Sequence, residues 1–325
     1  MKERLDPELI APLEGFMQAI GGGFDLDNLA ATRAMMNGMI AGVNAEAPPT
    51  AGIEITNHHA PGAPGAPAVE VRLYRPSGVR TPLPALVWMH GGGWVLGSVE
   101  FDELMCRQLA KDVGLAVVSV NYRLAPENPY PAPLDDCYAA LQWVAGKAGE
   151  LGLDSRRIAV GGASAGGGLA AGISLLARDR GEIPIAFQLL IYPAIDDRKT
   201  PQASATLPDT LFWSRKNNLQ AWTAYLAGQH GREGVSPYAA VARATDLSGL
   251  PPAYVPVGAL DPFLADSLAY GERLIDAGVP AELHVYPGAF HAFDVFAPQA
   301  QVSQRFVAER NAALRRALAI EGKSR

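Results

Sequence analysis

The sequence predicts an α/β fold built on a mostly parallel, eight-stranded sheet with helices on both faces. Segments of strand character recur along the chain, and most of the later ones are nearly continuous apolar runs, as in parallel strands buried on both faces. Helical patterns separate them, which is the alternation of successive βαβ units. The predicted strands cover residues 53–59, 69–75, 85–89, 115–121, 157–161, 186–192, 253–258 and 281–286.

Two helices are predicted ahead of the sheet, at residues 5–20 and 29–43, from apolar side chains at helical spacing. Both contain methionines, so they either pack in the ordinary way or form part of a lid over an apolar pocket. The Pro/Gly-rich stretch 61–67 predicts a hairpin loop, which makes the first two strands an antiparallel pair. Further helices are predicted at about 100–112, 135–149, 165–178 and 265–277.

The connection between the sixth and seventh strands spans about 60 residues, which is too long for a simple crossover. Its segment 208–227 is rich in large apolar side chains, which indicates a second piece of a helical cap at about 200–230. We therefore expect residues 1–50 to form the N-terminal helical part of the cap. Residues 51–325 would form the main domain.

Composition excludes several classes of protein. A net charge of −6 without any basic run argues against nucleic-acid binding. Cys106 and Cys137 lie in predicted helices without CxxC spacing, so we expect buried, reduced thiols. The N-terminus builds no apolar leader, and no uncharged apolar run reaches the length of a membrane span. The sequence thus predicts a cytoplasmic protein without a membrane span.

Residues 162–166 read Gly-Ala-Ser-Ala-Gly and lie between a predicted strand and a predicted helix. A serine with glycines at i−2 and i+2 on a strand-to-helix turn is the nucleophile elbow of α/β-hydrolases. The tight turn presents Oγ above the sheet, and the positive end of the helix dipole lies beneath it. Ser164 is therefore the candidate nucleophile, although small residues at such a turn also serve helix–strand packing.

The segment His90-Gly91-Gly92-Gly93-Trp94 follows the third predicted strand directly. Consecutive glycines let backbone amides approach a substrate, and acyl transfer needs such donors for its oxyanion. We expect the amides of Gly92, Gly93 and Ala165 to form this oxyanion hole, with His90 holding the loop in place. A dinucleotide-binding turn is disfavoured because the glycines do not fit GxGxxG.

Asp261 and His291 each follow one of the last two predicted strands, at the sheet edge where ligands bind in such folds. His291 is the candidate general base and Asp261 the carboxylate that orients it. Asp266 competes with Asp261, but it falls inside the following helical pattern. The chain order serine, aspartate, histidine is that of α/β-hydrolases.

Together these motifs resemble the hormone-sensitive-lipase family of microbial carboxylesterases, over about residues 50–300. The resemblance also includes the segment 122–127, read Tyr-Arg-Leu-Ala-Pro-Glu, and the Phe212-Trp213 region. It implies an α/β-hydrolase fold with a helical cap, no cofactor, and small-molecule esters of short to medium acyl chains as substrates. A homodimer is frequent in such proteins. Ala163 and Asn121 depart from the family, which usually has Asp or Thr before the nucleophile and often Asp at the latter position.

No metal-ligand spacing is present in the sequence. The expected reaction is serine-ester hydrolysis through an acyl-enzyme, with Trp94, Phe212 and Trp213 contacting the substrate. An amidase, peptidase or lactonase would use the same groups and stays open. A non-catalytic binder is disfavoured, because all three residues of the triad are present.

Overall fold

A computed structural model describes residues 2–198 and 212–320. Eight strands form one sheet in the order β1-β2-β4-β3-β5-β6-β7-β8. The pairs β1–β2 and β2–β4 are antiparallel, and every other neighbouring pair is parallel. The predicted mostly parallel, eight-stranded sheet is therefore confirmed.

The elements follow one another as two N-terminal helices, a hairpin, and then strands alternating with helices. The strands are β1 (Ile53–Ala60), β2 (Val69–Pro76), β3 (Leu83–Met89), β4 (Ala116–Val120), β5 (Leu153–Ala163), β6 (Phe187–Ile191), β7 (Ala253–Gly258) and β8 (Ala281–Tyr286). The α-helices are α1 (Pro7–Ala19), α2 (Leu29–Glu46), α3 (Glu103–Leu109), α4 (Ala132–Leu151), α5 (Ala165–Arg180), α6 (Arg215–Tyr225), α7 (Leu264–Asp276), α8 (Phe293–Phe296) and α9 (Gln301–Ala317).

The central strands bury both faces, each against a different apolar core. Along β3, Val87 faces the core shared with α4 and α5, whereas its neighbours Leu86 and Trp88 face the core shared with α3 and α9. This is the period-2 alternation of a strand, with both sides covered by helices. It explains why these strands read as unbroken apolar runs in the sequence.

Two helices near the C-terminus, α8 and α9, have no counterpart among the predicted elements. In α9 the apolar side chains form only a narrow buried stripe that includes Val302, Phe306 and Leu314, and the rest of the helix is rich in charged residues. The predicted helix at 100–112 is also divided, because α3 ends at Leu109 and a π-helical turn, Ala110–Gly114, follows.

The second predicted cap segment is described only from residue 212 onward, and its part at 199–211 lies outside the described residues. Helix α6 begins at Arg215 because Ser214 and Asn217 form a capping box. The two N-terminal helices are joined by a loop that contacts α6. In that contact the Asn217 Nδ2 atom donates to the Phe24 carbonyl at 2.9 Å, and Lys216 pairs with Asp27 at 2.5 Å.

Helix α2 is attached to the main body through one arginine. Arg33 donates to the carbonyls of Val95 and Ala125, each at 2.8 Å, and pairs with Glu127 at 2.6 Å. Val95 belongs to the loop after β3, so this contact holds α2 over that loop. Within the described residues, no helix combines the length and apolar character needed to cross a membrane.

Candidate active site

The serine turn at the end of β5 has the strained backbone expected of an elbow. Ser164 has φ 57° and ψ −120°, a conformation that L-residues adopt rarely and at a cost. The flanking glycines have no room for a side chain. A Cβ on Gly162 would lie 2.3 Å from the Gly166 carbonyl carbon, and one on Gly166 would lie 2.1 Å from the Met89 oxygen. Glycine is therefore a steric requirement on both sides of Ser164.

Ser164, His291 and Asp261 are joined by a continuous chain of hydrogen bonds. The distance from Ser164 Oγ to His291 Nε2 is 3.0 Å, and that from His291 Nδ1 to Asp261 Oδ2 is 2.7 Å. The other Asp261 oxygen accepts the Phe263 amide at 2.8 Å, which fixes the carboxylate. This arrangement fits a proton transfer from the serine to the imidazole, with the carboxylate orienting the ring.

Access of water to these three groups is limited. Asp261 is fully buried, His291 is 3% exposed and Ser164 is 9% exposed. Tyr192 and Phe263 meet the His291 ring edge to face, with ring centroids at 4.7 and 5.1 Å. These contacts restrict rotation of the imidazole, so that both of its hydrogen bonds are kept.

The glycine loop after β3 presents free backbone donors beside the serine. Among the described residues, the amides of Gly92, Gly93 and Ala165 donate to no other protein group. Gly92 and Gly93 both have positive φ, at 113° and 61°, where a side chain would be strained. Gly92 and Gly93 line the same cavity as Ser164, and Ala165 follows Ser164 in the chain, so these amides can stabilise an oxyanion that develops there.

His90, the first residue of this loop, is fixed by burial and by its contacts with Tyr122. Its side chain is fully buried and stacks on Tyr122 at 4.2 Å, and the Tyr122 hydroxyl donates to the His90 carbonyl at 2.8 Å. Burial lowers the pKa of His90 to about 4, so the ring is neutral at physiological pH. The sequence prediction that His90 holds the loop agrees with this environment.

A cavity of about 350 Å³ opens above Ser164 and His291. Its lining is largely apolar and includes the predicted contacts Phe212 and Trp213. The other lining side chains come mainly from α1, α2, α8 and the loop after β3, and include Phe16, Phe24, Met36, Met39, Leu96, Phe101, Asp102, Tyr192 and Phe296.

Trp94 lies outside the lining of this cavity. It is 1% exposed and stacks on Tyr225 of α6 at 4.5 Å, with Trp222 at 4.3 Å. The Trp94 side chain therefore packs the glycine loop against α6, outside the cavity lining. A Cβ on Gly93 would lie 2.7 Å from the Trp213 ring, so the turn before α6 also packs tightly against the glycine loop.

Two polar residues of the cavity were not identified from the sequence. Tyr192 directly follows β6 at the edge of the sheet that carries the triad, so the rule that located Asp261 and His291 could have found it. Asp102 follows the glycine loop, and no sequence pattern marks it. The structure also places Asp266 inside α7, where it makes no hydrogen bond to His291.

The remaining motif residues have structural partners. Arg123 forms a bidentate pair with Asp136, each bond 2.8 Å long, and Glu127 pairs with Arg33. The Asn121 side chain donates to Glu70 at 3.0 Å. Both cysteines are buried and free. In the part of the chain described, no three His, Cys, Asp or Glu side chains converge as a metal site would require.

Comparison with known proteins places this geometry in a family. The sequence model of a family described as the alpha/beta hydrolase fold matches residues 86–295. Carboxylesterase NlhH of Mycobacterium tuberculosis is 41% identical over 266 residues, covering 79% of this chain and 81% of that protein. Esterase LipI of the same organism is 41% identical over 211 residues, covering 65% of each chain.

Solved structures give the same result. A structure named Bacterial Heroin Esterase superimposes with a TM-score of 0.92 at 43% identity, covering 97% of this chain and 98% of that one. Esterase LipW from Mycobacterium marinum superimposes with a TM-score of 0.86 at 38% identity, covering 97% and 96%. The chain therefore belongs to the α/β-hydrolase superfamily and, within it, to the hormone-sensitive-lipase-like carboxylic ester hydrolases.

Proposed function

We propose that this protein is a serine carboxylesterase that hydrolyses short- to medium-chain acyl esters through an acyl-enzyme. The observation that carries the proposal is the hydrogen-bonded chain from Ser164 Oγ through His291 to Asp261. It lies at the floor of an apolar cavity, which suits an acyl or alkyl chain better than a charged polymer.

In the first step, Ser164 Oγ attacks the ester carbonyl carbon while His291 Nε2 takes the hydroxyl proton. Asp261 stabilises the resulting imidazolium. The carbonyl oxygen becomes an oxyanion that accepts hydrogen bonds from the amides of Gly92, Gly93 and Ala165. When the tetrahedral intermediate collapses, the C–O bond to the alcohol breaks, and His291 returns the proton to the leaving oxygen.

In the second step, a water molecule takes the place of the alcohol. His291 removes its proton as the water oxygen attacks the acyl carbon. Collapse of this second intermediate releases the carboxylic acid and restores the Ser164 hydroxyl. Phe212 and Trp213 line the cavity, which supports their proposed role as substrate contacts.

We further propose that residues 1–50 and the segment around α6 act as one cap over residues 51–325. The contacts of the loop before α2 with α6, and the share of the cavity wall that α1 and α2 contribute, support this assignment. The homodimer and the cytoplasmic location stay predictions.

The deciding experiment measures hydrolysis of p-nitrophenyl esters by the wild type and by Ser164→Ala. Removal of the nucleophile should lower kcat by about 10⁴- to 10⁶-fold. Ser155→Ala is the matched control, because Ser155 is an exposed serine on the same strand, β5. Ester hydrolysis that survives Ser164→Ala would refute the assignment. A parallel comparison of p-nitrophenyl acetate with p-nitroacetanilide separates an esterase from an amidase on the same groups.

A further inference from the structure

Asp102 is a carboxylate in a largely apolar cavity. Among the described lining residues, it is the only side chain that carries a full charge at neutral pH, apart from His291 when that ring is protonated. The proposed ester mechanism assigns it no role. The residue is half-buried and is part of the cavity lining.

Among the described residues, the Asp102 carboxylate has a single hydrogen-bond donor. The Trp88 indole Nε1 donates to Oδ2 at 2.8 Å, whereas Oδ1 has no donor. No arginine, lysine or histidine of the described chain forms an ion pair with this carboxylate. The neighbouring acids differ in this respect, because Glu100 and Glu103 both pair with Arg72.

The electrostatic environment of Asp102 also lacks a compensating positive charge. Burial raises the pKa of Asp102 to about 6, and the nearby Asp294 carboxylate acts in the same direction. Above that pH the cavity therefore contains a carboxylate that accepts one indole N–H and lies at the N-terminus of α3, with no ion-pair partner among the described residues. A buried charge of this kind is stabilised when a ligand brings the opposite charge.

Phe101 lies next to Asp102 in the chain and also lines the cavity. Together they offer an alkylammonium group one charged acceptor and one aromatic ring, a combination that favours a cation over a neutral group. Both residues come from the loop after β3, which also contains the glycines of the proposed oxyanion hole.

We propose that Asp102 and Phe101 form a subsite for a protonated amine, so that the preferred substrates are esters whose acyl or alcohol part carries an alkylammonium group. This inference rests on the proposed esterase function and names a substrate class for the same site. A substrate that spans Ser164 and this subsite places its ester carbonyl at the serine and its amine against the carboxylate.

The test compares esters that are matched in shape and differ in charge. Dimethylaminoethyl acetate and isopentyl acetate place the difference in the alcohol. The p-nitrophenyl esters of dimethylaminobutanoic and methylhexanoic acid, each branched at its end, place it in the acyl chain. We expect kcat/KM to favour the cationic ester in at least one pair, by roughly tenfold or more after correction for the uncatalysed rates.

The variant Asp102→Asn keeps an acceptor for Trp88 and removes the charge, so the preference should fall close to unity. Glu100→Gln is the matched control. It removes a carboxylate two residues away that does not line the cavity, and the preference should persist. A preference that survives in Asp102→Asn, or equal rates within both pairs for the wild type, overturns the subsite. Absence of hydrolysis of every ester would instead overturn the proposed function and this inference with it.

A second measurement needs no variant and tests the ammonium subsite even if Asp102→Asn does not fold. Isopentylammonium and isopentanol are compared as inhibitors of p-nitrophenyl acetate hydrolysis by the wild type. The ammonium ion should inhibit at a concentration roughly tenfold lower than the alcohol. Equal inhibition by the two compounds overturns the proposal.

Discussion

Asp261 is the residue whose contribution is easiest to separate from folding. The carboxylate accepts hydrogen bonds from His291 Nδ1 and from the Phe263 amide. Asp261→Asn preserves the shape, but its amide N–H can donate a hydrogen bond to His291 Nδ1. The ring proton then lies on Nε2, which can no longer accept the Ser164 proton. We expect kcat to fall by about 10³- to 10⁴-fold with little change in the free energy of unfolding.

The comparison for Asp261→Asn is Asp266→Asn, because Asp266 is the other aspartate near the end of β7. Steady-state kinetics on p-nitrophenyl acetate and urea unfolding of both variants give the answer. A large kinetic loss in Asp266→Asn and a small one in Asp261→Asn would reverse the roles that we propose.

Protonation of Asp102 predicts a pH dependence of the substrate preference. Because burial and Asp294 raise the Asp102 pKa to about 6, the carboxylate is charged above that pH and neutral below it. The kcat/KM ratio of dimethylaminoethyl acetate to isopentyl acetate should therefore fall as the pH drops from about 8 to about 5. The ratio cancels any titration that affects both esters equally, that of the catalytic groups included.

Other charged groups near Asp102 set the background for this titration. Asp294 is half-buried and accepts a hydrogen bond from the Tyr192 hydroxyl at 2.9 Å, and burial raises the pKa of Asp294, whereas the buried Arg310 guanidinium acts to lower it. The amine of the cationic ester stays protonated over most of this pH range, so its own charge does not explain the change. A ratio that stays constant from pH 5 to 8 would show that Asp102 does not interact with the amine.

The turn from β5 to α5 depends on glycines that lack space for even one methyl group. A Cβ on Gly166 would lie 2.1 Å from the Met89 oxygen and 2.5 Å from the His90 oxygen, and both are backbone atoms that cannot move aside. Gly166→Ala should therefore destabilise the fold by about 1–3 kcal/mol. It should also lower kcat, because the loop that follows Met89 contains the free amides.

Gly146→Ala is the control for this substitution. Gly146 is exposed in α4, and a Cβ there would meet no atom within 4 Å. Alanine in a helix interior is favoured over glycine by roughly 0.5–1 kcal/mol, so this variant should be slightly more stable than the wild type. Urea unfolding of both proteins measures the difference. Equal stability of Gly166→Ala and Gly146→Ala would contradict the steric argument.

The elements of the central fold were predicted from the sequence because each has an apolar pattern along its length and turn residues at its ends. Unbroken apolar runs identified the buried strands, and the glycines around Ser164 marked the turn from β5 to α5. Asp261 and His291 followed from the rule that ligand-binding residues come after strands. Helix α9 was not predicted because its buried stripe is narrow. Asp102 was not identified because the features that single it out, its place in the cavity and its lack of an ion-pair partner among the described residues, appear only in the folded protein. Burial and a missing partner are properties of the packed molecule and leave no local pattern.

Elements that are distant in sequence enclose the cavity between two walls. On one side α2 lies over the loop after β3, held by Arg33 and by the Asn44 side chain, which donates to the Glu100 carbonyl at 3.0 Å. On the other side α1 meets α8, where Phe16 and Phe296 pack with ring centroids 4.3 Å apart. The length of the substrate chain is therefore limited by contacts between parts of the protein that no single segment encodes.

These two walls predict how activity depends on acyl length. Each methylene that is buried in the cavity contributes about 0.8 kcal/mol, so kcat/KM on p-nitrophenyl esters should rise about fourfold per methylene from acetate onward. It should fall once the chain reaches a wall. Removing side-chain volume from the wall that the acyl chain meets should move the maximum to longer chains.

Met36→Ala enlarges the α2 wall and Phe296→Ala the α8 wall, while Leu268→Ala shortens an exposed side chain on α7 and serves as the control. A series from acetyl to dodecanoyl esters, measured on all four proteins, identifies the wall. We expect one cavity variant to shift the maximum and the other to leave it in place. The reason is that the acyl chain lies against only one of the two walls, while the alcohol part of the ester lies elsewhere. A profile that is identical in all four proteins would mean that the acyl chain extends into solvent rather than into this cavity.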